Sequence, residues 1–175
     1  MAAELDFSFD RPVYGKELFG GSGQLARASW LARQIRDDDI YFMQDGTLSQ
    51  LLFKEVLNSY VLGQYIAAIV LGYSLIERTL AGRFSFIGEI KIAAAKSEIL
   101  LKKAAERGWL SGEEVQLLDE LRKLRNPIVH FRDHLSRARP EVRAAVNGGT
   151  TQQVLEEDAQ KIIEATIHVL SKTAL

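Results

Sequence analysis

The chain has 175 residues with 22 basic and 23 acidic side chains, 47% hydrophobic residues and no cysteine. This composition is typical of one soluble globular domain and excludes collagen-like, disordered and disulfide-stapled chains. The lack of cysteine also excludes thiol nucleophiles and cysteine-based zinc sites, so we expect no structural metal and no cofactor. A formal charge of −1 argues against a generally basic nucleic-acid-binding protein but is compatible with a local basic patch.

The start of the chain carries no export signal in its sequence. Glu4, Asp6 and Asp10 stand where a signal peptide would be basic. The most apolar run, Tyr65 to Ile76, is about twelve residues long, short of the roughly 20 that span a bilayer. The sequence therefore predicts a buried core helix there and a cytoplasmic protein with no membrane association.

Residues 1–46 are expected to form an N-terminal arm, because Asp10-Arg11-Pro12 and Gly20-Gly21-Ser22-Gly23 are turn signals. One short helix is predicted in the arm, from Gln24 to Arg36. It has an apolar side, so we expect it to pack on the main body or on a second copy. The carboxylates at 37–39 would point in different directions on a helix and are interpreted as a solvated helix end. The apolar side comprises Leu25, Ala28, Trp30, Leu31 and Ile35.

Residues 47–175 are predicted to form a helical bundle domain. Apolar residues recur at alternating steps of four and three between Leu62 and Leu80, which predicts one buried helix face. No strand pattern of comparable length competes. The predicted fold is therefore all-α, an antiparallel bundle of about four or five helices. The residues of the predicted face are Leu62, Ile66, Ile69, Tyr73, Ile76 and Leu80.

Glycines and capping residues divide the rest of this domain. Gly82 and Gly88 are expected to bracket a turn, and a helix from Glu89 to Arg107 is expected to stop at Gly108 in a left-handed conformation. The third and last helices each begin with the spacing of a capping box, in which two side chains satisfy free backbone N–H groups. Between these helices, residues 132–149 are expected to form a loop with a short helix around 141–146. The capping boxes are Ser111 with Glu114 and Thr150 with Gln153, and the apolar residues that follow are Val115, Leu118 and Leu121 in the third helix and Val154, Ile162, Ile163, Ile167 and Leu170 in the last.

A charged side chain is predicted on the apolar face of the third helix. Arg125 follows Leu118 and Leu121 by steps of three and four, so it points where they point. A buried guanidinium needs a partner, and we expect Glu77, because a lone carboxylate at the edge of the apolar stripe would be costly to bury. The pairing would join two helices.

The same helix is expected to be interrupted after Arg125. Pro127 lacks an N–H and its ring collides with the carbonyl four residues back, which predicts a kink or a restart of the helix. Asn126 is placed to cap the second segment. A kink would also change the relative direction of Arg125 and His130, which are about 140° apart on an undisturbed helix.

Arg125-Asn126-x-x-x-His130 resembles the signature of the HEPN superfamily, an all-helical fold with an arginine, usually a polar residue, and a histidine after four to six intervening positions. The asparagine makes a chance match rare, since the chain contains three asparagines and three histidines. The resemblance covers the bundle domain and not the arm. Arg132 departs from the pattern of HEPN toxins partnered with a nucleotidyltransferase, which usually have tyrosine there.

The resemblance to catalytic HEPN proteins implies that this protein is a metal-independent endoribonuclease. It would be active as a homodimer with both motifs at the interface, and we expect a role in defence or stress response. His130 would transfer a proton, Arg125 would stabilise the phosphorane charge, and Asn126 would orient the phosphate or the imidazole. Glu77 would hold Arg125 in place. A local excess of basic residues predicts RNA binding by Arg122, Lys123, Arg132, Arg137 and Arg139.

Two other interpretations remain open from the sequence. A non-catalytic helical module would dimerise or bind a partner protein or nucleotide, with Arg125 and Glu77 as a buried ion pair that sets helix register and His130 packed beside Phe131. A small helical regulator would bind RNA without cleaving it. The other histidines and the aromatic residues are interpreted as structural, core or dimer contacts: His134, His168, Phe84, Phe86, Trp30 and Trp109.

Overall fold

The computed structural model describes residues 21–35 and 46–173, and its regular structure is entirely helical. Eight helices and no strand occur in these residues, which confirms the predicted all-α class. The predictions for residues 1–20 and the interpretation of the carboxylates at 37–39 lie outside the described residues. The helices are α1 (Gly21–Gln34), α2 (Thr47–Val61), α3 (Tyr65–Phe86), α4 (Ile90–Ala93), α5 (Ser97–Glu106), α6 (Gly112–Val129), α7 (Pro140–Asn147) and α8 (Thr151–Thr173).

Helix α1 packs on the main body of the same chain, which was one of the two alternatives expected from the sequence. The Trp30 ring lies 5.0 Å from that of Tyr60 on α2, and Leu31 is buried. The Arg27 side chain donates from Nε to the last carbonyl of α2 at 2.9 Å. The predicted apolar side was too wide, because Leu25 and Ala28 face solvent.

Helix α3 is the centre of the bundle and contacts α2, α4, α5, α6 and α8. The predicted buried face is confirmed from Ile69 to Leu80. It is wrong at its start: Leu62 ends α2, the chain turns at Gly63, and Ile66 in the first turn of α3 is 54% exposed. The apolar repeat ran across a helix boundary, since periodicity alone does not detect a turn whose flanking residues keep the same spacing.

By length and composition, α3 is also the one described helix that could cross a membrane. Its mean hydropathy over the relevant stretch is 1.2, and half of that stretch is buried inside the protein.

Close contact between α3 and α8 depends on Gly72. A Cβ at this position would lie 2.6 Å from Cγ2 of Ile162, which is too close for any side chain larger than hydrogen. Thr166 on α8 donates its hydroxyl to the Gly72 carbonyl at 3.3 Å and to its own helix at 2.7 Å. The glycine lets the two backbones approach and places buried apolar residues of both helices in contact.

The connection after α3 differs from the prediction. Helix α3 continues through Gly82 to Phe86, and Gly88, with φ of 83°, makes the turn. A glycine inside a helix costs about 1 kcal/mol, which the burial of Leu80 and Phe84 beside it offsets. The predicted helix 89–107 is divided into α4 and α5 by Lys96 in an extended conformation.

Three helix-end predictions are confirmed. Gly108 ends α5 with φ of 70°. Ser111 and Glu114 exchange both hydrogen bonds of a capping box at the start of α6, and Thr150 and Gln153 do so at the start of α8.

Glu114 also contacts the last helix of the bundle, α8. Its carboxylate accepts from Lys172 at 2.7 Å and contacts His168, both near the end of α8. The start of α6 therefore lies against the end of α8, and the two helices are antiparallel. The predicted apolar faces of both helices are confirmed, with Leu118 and Leu121 of α6 buried against the core.

The short helix predicted around 141–146 is observed as α7. Arg143 holds it to α8, with Nη1 3.0 Å from one oxygen of Asp158 and Nη2 on the other. Asp158 is 1% exposed, so its charge is removed from water and needs this arginine. The pair closes the far end of the loop that follows α6.

Candidate functional site

Arg125 lies one turn before the end of α6 and its guanidinium reaches α3. Its Nη2 donates to both carboxylate oxygens of Glu77, at 3.3 and 3.2 Å. The two side chains are 17% and 28% exposed, so water screens their attraction less than that of a surface pair. The structure confirms the predicted partner of Arg125.

An aromatic ring supports the same guanidinium. The Cζ atom of Arg125 is 5.1 Å from the centroid of Tyr73, one turn before Glu77 on α3. The Tyr73 hydroxyl shares a hydrogen bond with Ser97 Oγ on α5 at 3.0 Å. Burial raises the pKa of Tyr73 to about 12, so the ring stays neutral near pH 7. Three helices thus fix the orientation of one cation.

Arg125 still has capacity for another ligand. Its Nη1 makes only a long contact, 3.5 Å, to the side-chain oxygen of Asn126, whereas its unpaired Nε is buried. A guanidinium N–H donates a charge-assisted hydrogen bond to a phosphate oxygen, and Nη1 is the group that could do so here. The amide of Asn126 lies beside the donor that would take part.

Helix α6 does not restart at Pro127. It continues through the proline and ends at Val129, with His130 as an extended C-cap at φ −126° and ψ 134°. Asn126 therefore caps no second segment, and its carbonyl accepts the His130 N–H at 2.9 Å. Pro127 lies inside α6, close to its end, so few backbone hydrogen bonds follow the one that the proline removes.

His130 is exposed to solvent at this helix end. Its imidazole makes no hydrogen bond to the part of the chain that the structure describes, and no direct contact joins it to Arg125. The histidine is thus open to a substrate or a second subunit. The requirement of the buried-module interpretation, that His130 be enclosed, is not met within one chain.

The loop after His130 is held by Arg139. Its guanidinium contacts the Arg132 carbonyl at 3.5 Å, His134 Nδ1 at 3.2 Å and both oxygens of Glu141. The hydrogen bonds from Arg139 lower the pKa of Glu141, and those to Glu141 raise the pKa of Arg139. The loop therefore has a defined shape next to the motif.

The five predicted RNA-binding residues fall into two groups. Arg122 is bonded to Asp119 at 2.7 Å and to Glu98 at 3.0 Å, and Lys123 to Asp119 at 2.8 Å, so carboxylates already occupy these cations. Arg139 is engaged within the loop. The remaining two, Arg132 and Arg137, are exposed and form no ion pair with the described residues.

Tyr73 and Ser97 were missed as parts of this site. A signal was present for Tyr73, because it stands four residues before Glu77 and so one turn away on the same helix face. Nothing in the sequence indicated Ser97, since its position depends on the break between α4 and α5. The ion pairs of Arg122 and Lys123 could have been predicted, because Asp119 precedes them by three and four residues on the same helix.

A concavity of about 220 Å³ lies between the start of α6 and the end of α8. Its lining is mostly apolar and also includes Glu114, Lys161, Glu164 and His168. Glu114 is already used by the capping box and by its contacts with α8. This concavity is at the opposite end of α6 from Arg125.

No group of three or more His, Cys, Asp or Glu side chains within residues 21–35 and 46–173 is placed to hold a metal ion. Comparison with known proteins identifies no matching family model, no similar curated protein and no similar solved structure.

Proposed function

We propose that this protein is a HEPN-like, metal-independent endoribonuclease that acts as a homodimer in the cytoplasm, in defence or stress response. One observation carries the proposal: the Arg125 guanidinium is held by Glu77 and Tyr73, and five residues later an exposed histidine, His130, ends the same helix. The bundle would have the HEPN arrangement.

The two groups suit cleavage of RNA by its own 2′-hydroxyl. The 2′-oxygen bonds to phosphorus while the bond from phosphorus to the 5′-oxygen breaks, and a proton passes from the first oxygen to the second by way of the enzyme. An imidazole has an ordinary pKa near 6.5, which suits proton transfer at neutral pH. A fixed guanidinium stabilises the charge that develops on the phosphorane oxygens. Asn126 would orient the phosphate or the histidine.

Two copies of the motif serve this chemistry better than one. A base must accept the 2′ proton and an acid must protonate the leaving oxygen, and one histidine cannot do both at the same moment. A two-fold interface would supply the second His130. The exposed apolar side chain that precedes it, Val129 at 39%, is compatible with such an interface.

The test is cleavage of a pool of structured and single-stranded RNA in excess EDTA. We expect the wild type to cleave, and His130→Ala and Arg125→Ala each to lose about 10²-fold or more of the rate. His168→Gln is the matched control, because His168 is also exposed but lies at the other end of α6. Far-ultraviolet circular dichroism and sedimentation would establish that fold and oligomeric state are unchanged.

The alternative, a non-catalytic interaction module, is favoured by the exposed apolar residues near the motif. Leu135 is 85% exposed in the same loop as Phe131. A folded wild type without cleavage, together with variants that change association but nothing else, would favour the module over the nuclease.

A further inference from the structure

Phe131 is one of the most exposed apolar side chains of the described residues, at 83%. It directly follows His130, the proposed proton-transfer residue. By contrast, Phe84 is fully buried and Trp109 packs against the core. An exposed phenylalanine forgoes the hydrophobic stabilisation that burial of its ring would provide.

The loop presents the ring on a defined support. Phe131 meets the His134 ring edge to face, with centroids 6.1 Å apart and planes at 88°. His134 is in turn held by Arg139, and the Asp133 carboxylate accepts the Leu135 N–H at 2.9 Å. The ring therefore retains an open surface on an ordered loop.

Charge in the same loop favours an anionic ligand. Residues 130–139 contain three arginines and a single carboxylate, and Glu141 neutralises one of the three. Arg132, next to Phe131, and Arg137 are exposed and form no ion pair with the described residues. Aromatic rings interleaved with such cations are typical of surfaces that bind single-stranded nucleic acid. A protein partner could bury the ring together with Leu135 but would leave the two arginines unused, whereas RNA would use both the ring and the cations.

We propose that Phe131 is a stacking platform for an unpaired RNA base, with Arg132 and Arg137 binding the neighbouring phosphates. This inference rests on the proposed function and names its substrate class, single-stranded RNA or an unpaired loop. A base stacked on Phe131 would place the adjoining phosphate beside His130. Duplex RNA is disfavoured, because its bases are stacked on each other and cannot reach a side chain.

The test measures binding and does not depend on cleavage. The probe is a fluorescein-labelled 2′-O-methyl oligouridine of about ten nucleotides, which has no free 2′-hydroxyl, beside a 2′-O-methyl duplex of the same length. We expect Phe131→Leu to weaken single-strand binding about 10-fold, and Phe131→Trp, which keeps an aromatic ring, to retain it. Duplex binding should change little in either variant. Phe86→Leu is the matched control, because Phe86 is 74% exposed elsewhere on the surface.

Three results would overturn the inference. Wild type that does not bind the single strand, equal losses in Phe131→Leu and Phe86→Leu, or a Phe131→Leu variant that changes only sedimentation would each exclude base stacking. The last of these would identify Phe131 as a protein contact. Cleavage is scored separately: strong, Phe131-dependent binding without cleavage of unmodified RNA would retain the platform and reject the nuclease.

Discussion

The Arg125–Glu77 and Arg143–Asp158 pairs each join two helices among the described residues, and they use the arginine to different extents. Arg143 gives one terminal nitrogen to each oxygen of Asp158, which is 1% exposed. Arg125 reaches Glu77, 28% exposed, with Nη2 alone. The first pair is closed and can only hold α7 to α8. Nε is buried and unpaired in both arginines, so the difference lies in Nη1, which binds Asp158 in Arg143 and makes only a long contact in Arg125.

The surroundings of the two pairs also differ. Arg143 lies within α7, and its pair is directed into the bundle. Arg125 lies near a helix end, against an aromatic ring and five residues before exposed His130. The proposed function predicts different purposes for the two ion pairs, and removing each arginine tests this difference.

The largest loss of stability is expected from Arg143→Met. It leaves the buried Asp158 carboxylate without a counter-charge, which costs about 3 kcal/mol of unfolding free energy. Urea denaturation measures it. Adding Asp158→Leu should recover much of the loss, because the buried charge is then removed as well. If the single variant is as stable as the wild type, the pair is not the closed structural contact described above.

Another interhelix carboxylate, Glu114, extends the comparison to acid pH. Burial raises the pKa of Glu114, but hydrogen bonds from His168, Lys172 and the Ser111 N–H lower it to about 2. A lowered pKa stabilises the fold above the ordinary value of 4.5, and this contribution is lost as the pH falls toward about 2.

Glu114→Gln should therefore be less stable than the wild type at neutral pH, by about 1.5 kcal/mol, since its exposed partners are screened by water. The difference should shrink between about pH 5 and pH 2. Urea denaturation across this range measures both. A constant difference would mean that packing, and not charge, makes Glu114 important.

Removal of the open pair should cost less stability than removal of the closed one. In Arg125→Met, Glu77 is exposed enough to be solvated, so we expect a loss of about 1 kcal/mol together with loss of RNA cleavage. Arg143→Met should show the reverse, with cleavage retained by the folded molecules. Equal losses of stability in the two variants would favour a register-setting role for Arg125.

The smallest effect is expected from Tyr73→Phe. It removes the hydroxyl that bonds Ser97 and keeps the ring beneath Arg125, so stability should fall by about 1 kcal/mol or less and cleavage should persist. Tyr60→Phe is the control, because its hydroxyl accepts from Gln160 at 2.7 Å without any contact to Arg125. Tyr73→Leu, which removes the ring, should reduce cleavage about 10-fold while Tyr60→Leu does not.

Prediction from the sequence succeeded where the signal was local or strongly periodic. The capping boxes at Ser111 and Thr150 need only residues three apart, and the Arg125–Glu77 pair followed from two apolar stripes that each contained one charge. Prediction failed at Leu62, Gly82 and Pro127. At Leu62 the apolar spacing continued across a turn, and at Gly82 and Pro127 the helix continued through a residue that often ends one, so local sequence rules were not sufficient.

The sequence by itself determined the helical class, the ends of several helices and the Arg125-Asn126-x-x-x-His130 motif, because these depend on spacing along one chain. Only the tertiary structure decided that Tyr73 and Ser97 support Arg125, that Asp158 binds Arg143, and that His130 and Phe131 face solvent. Contacts between distant residues and exposure both depend on how helices pack together. Packing results from the sum of many weak interactions across the core, which no single segment specifies.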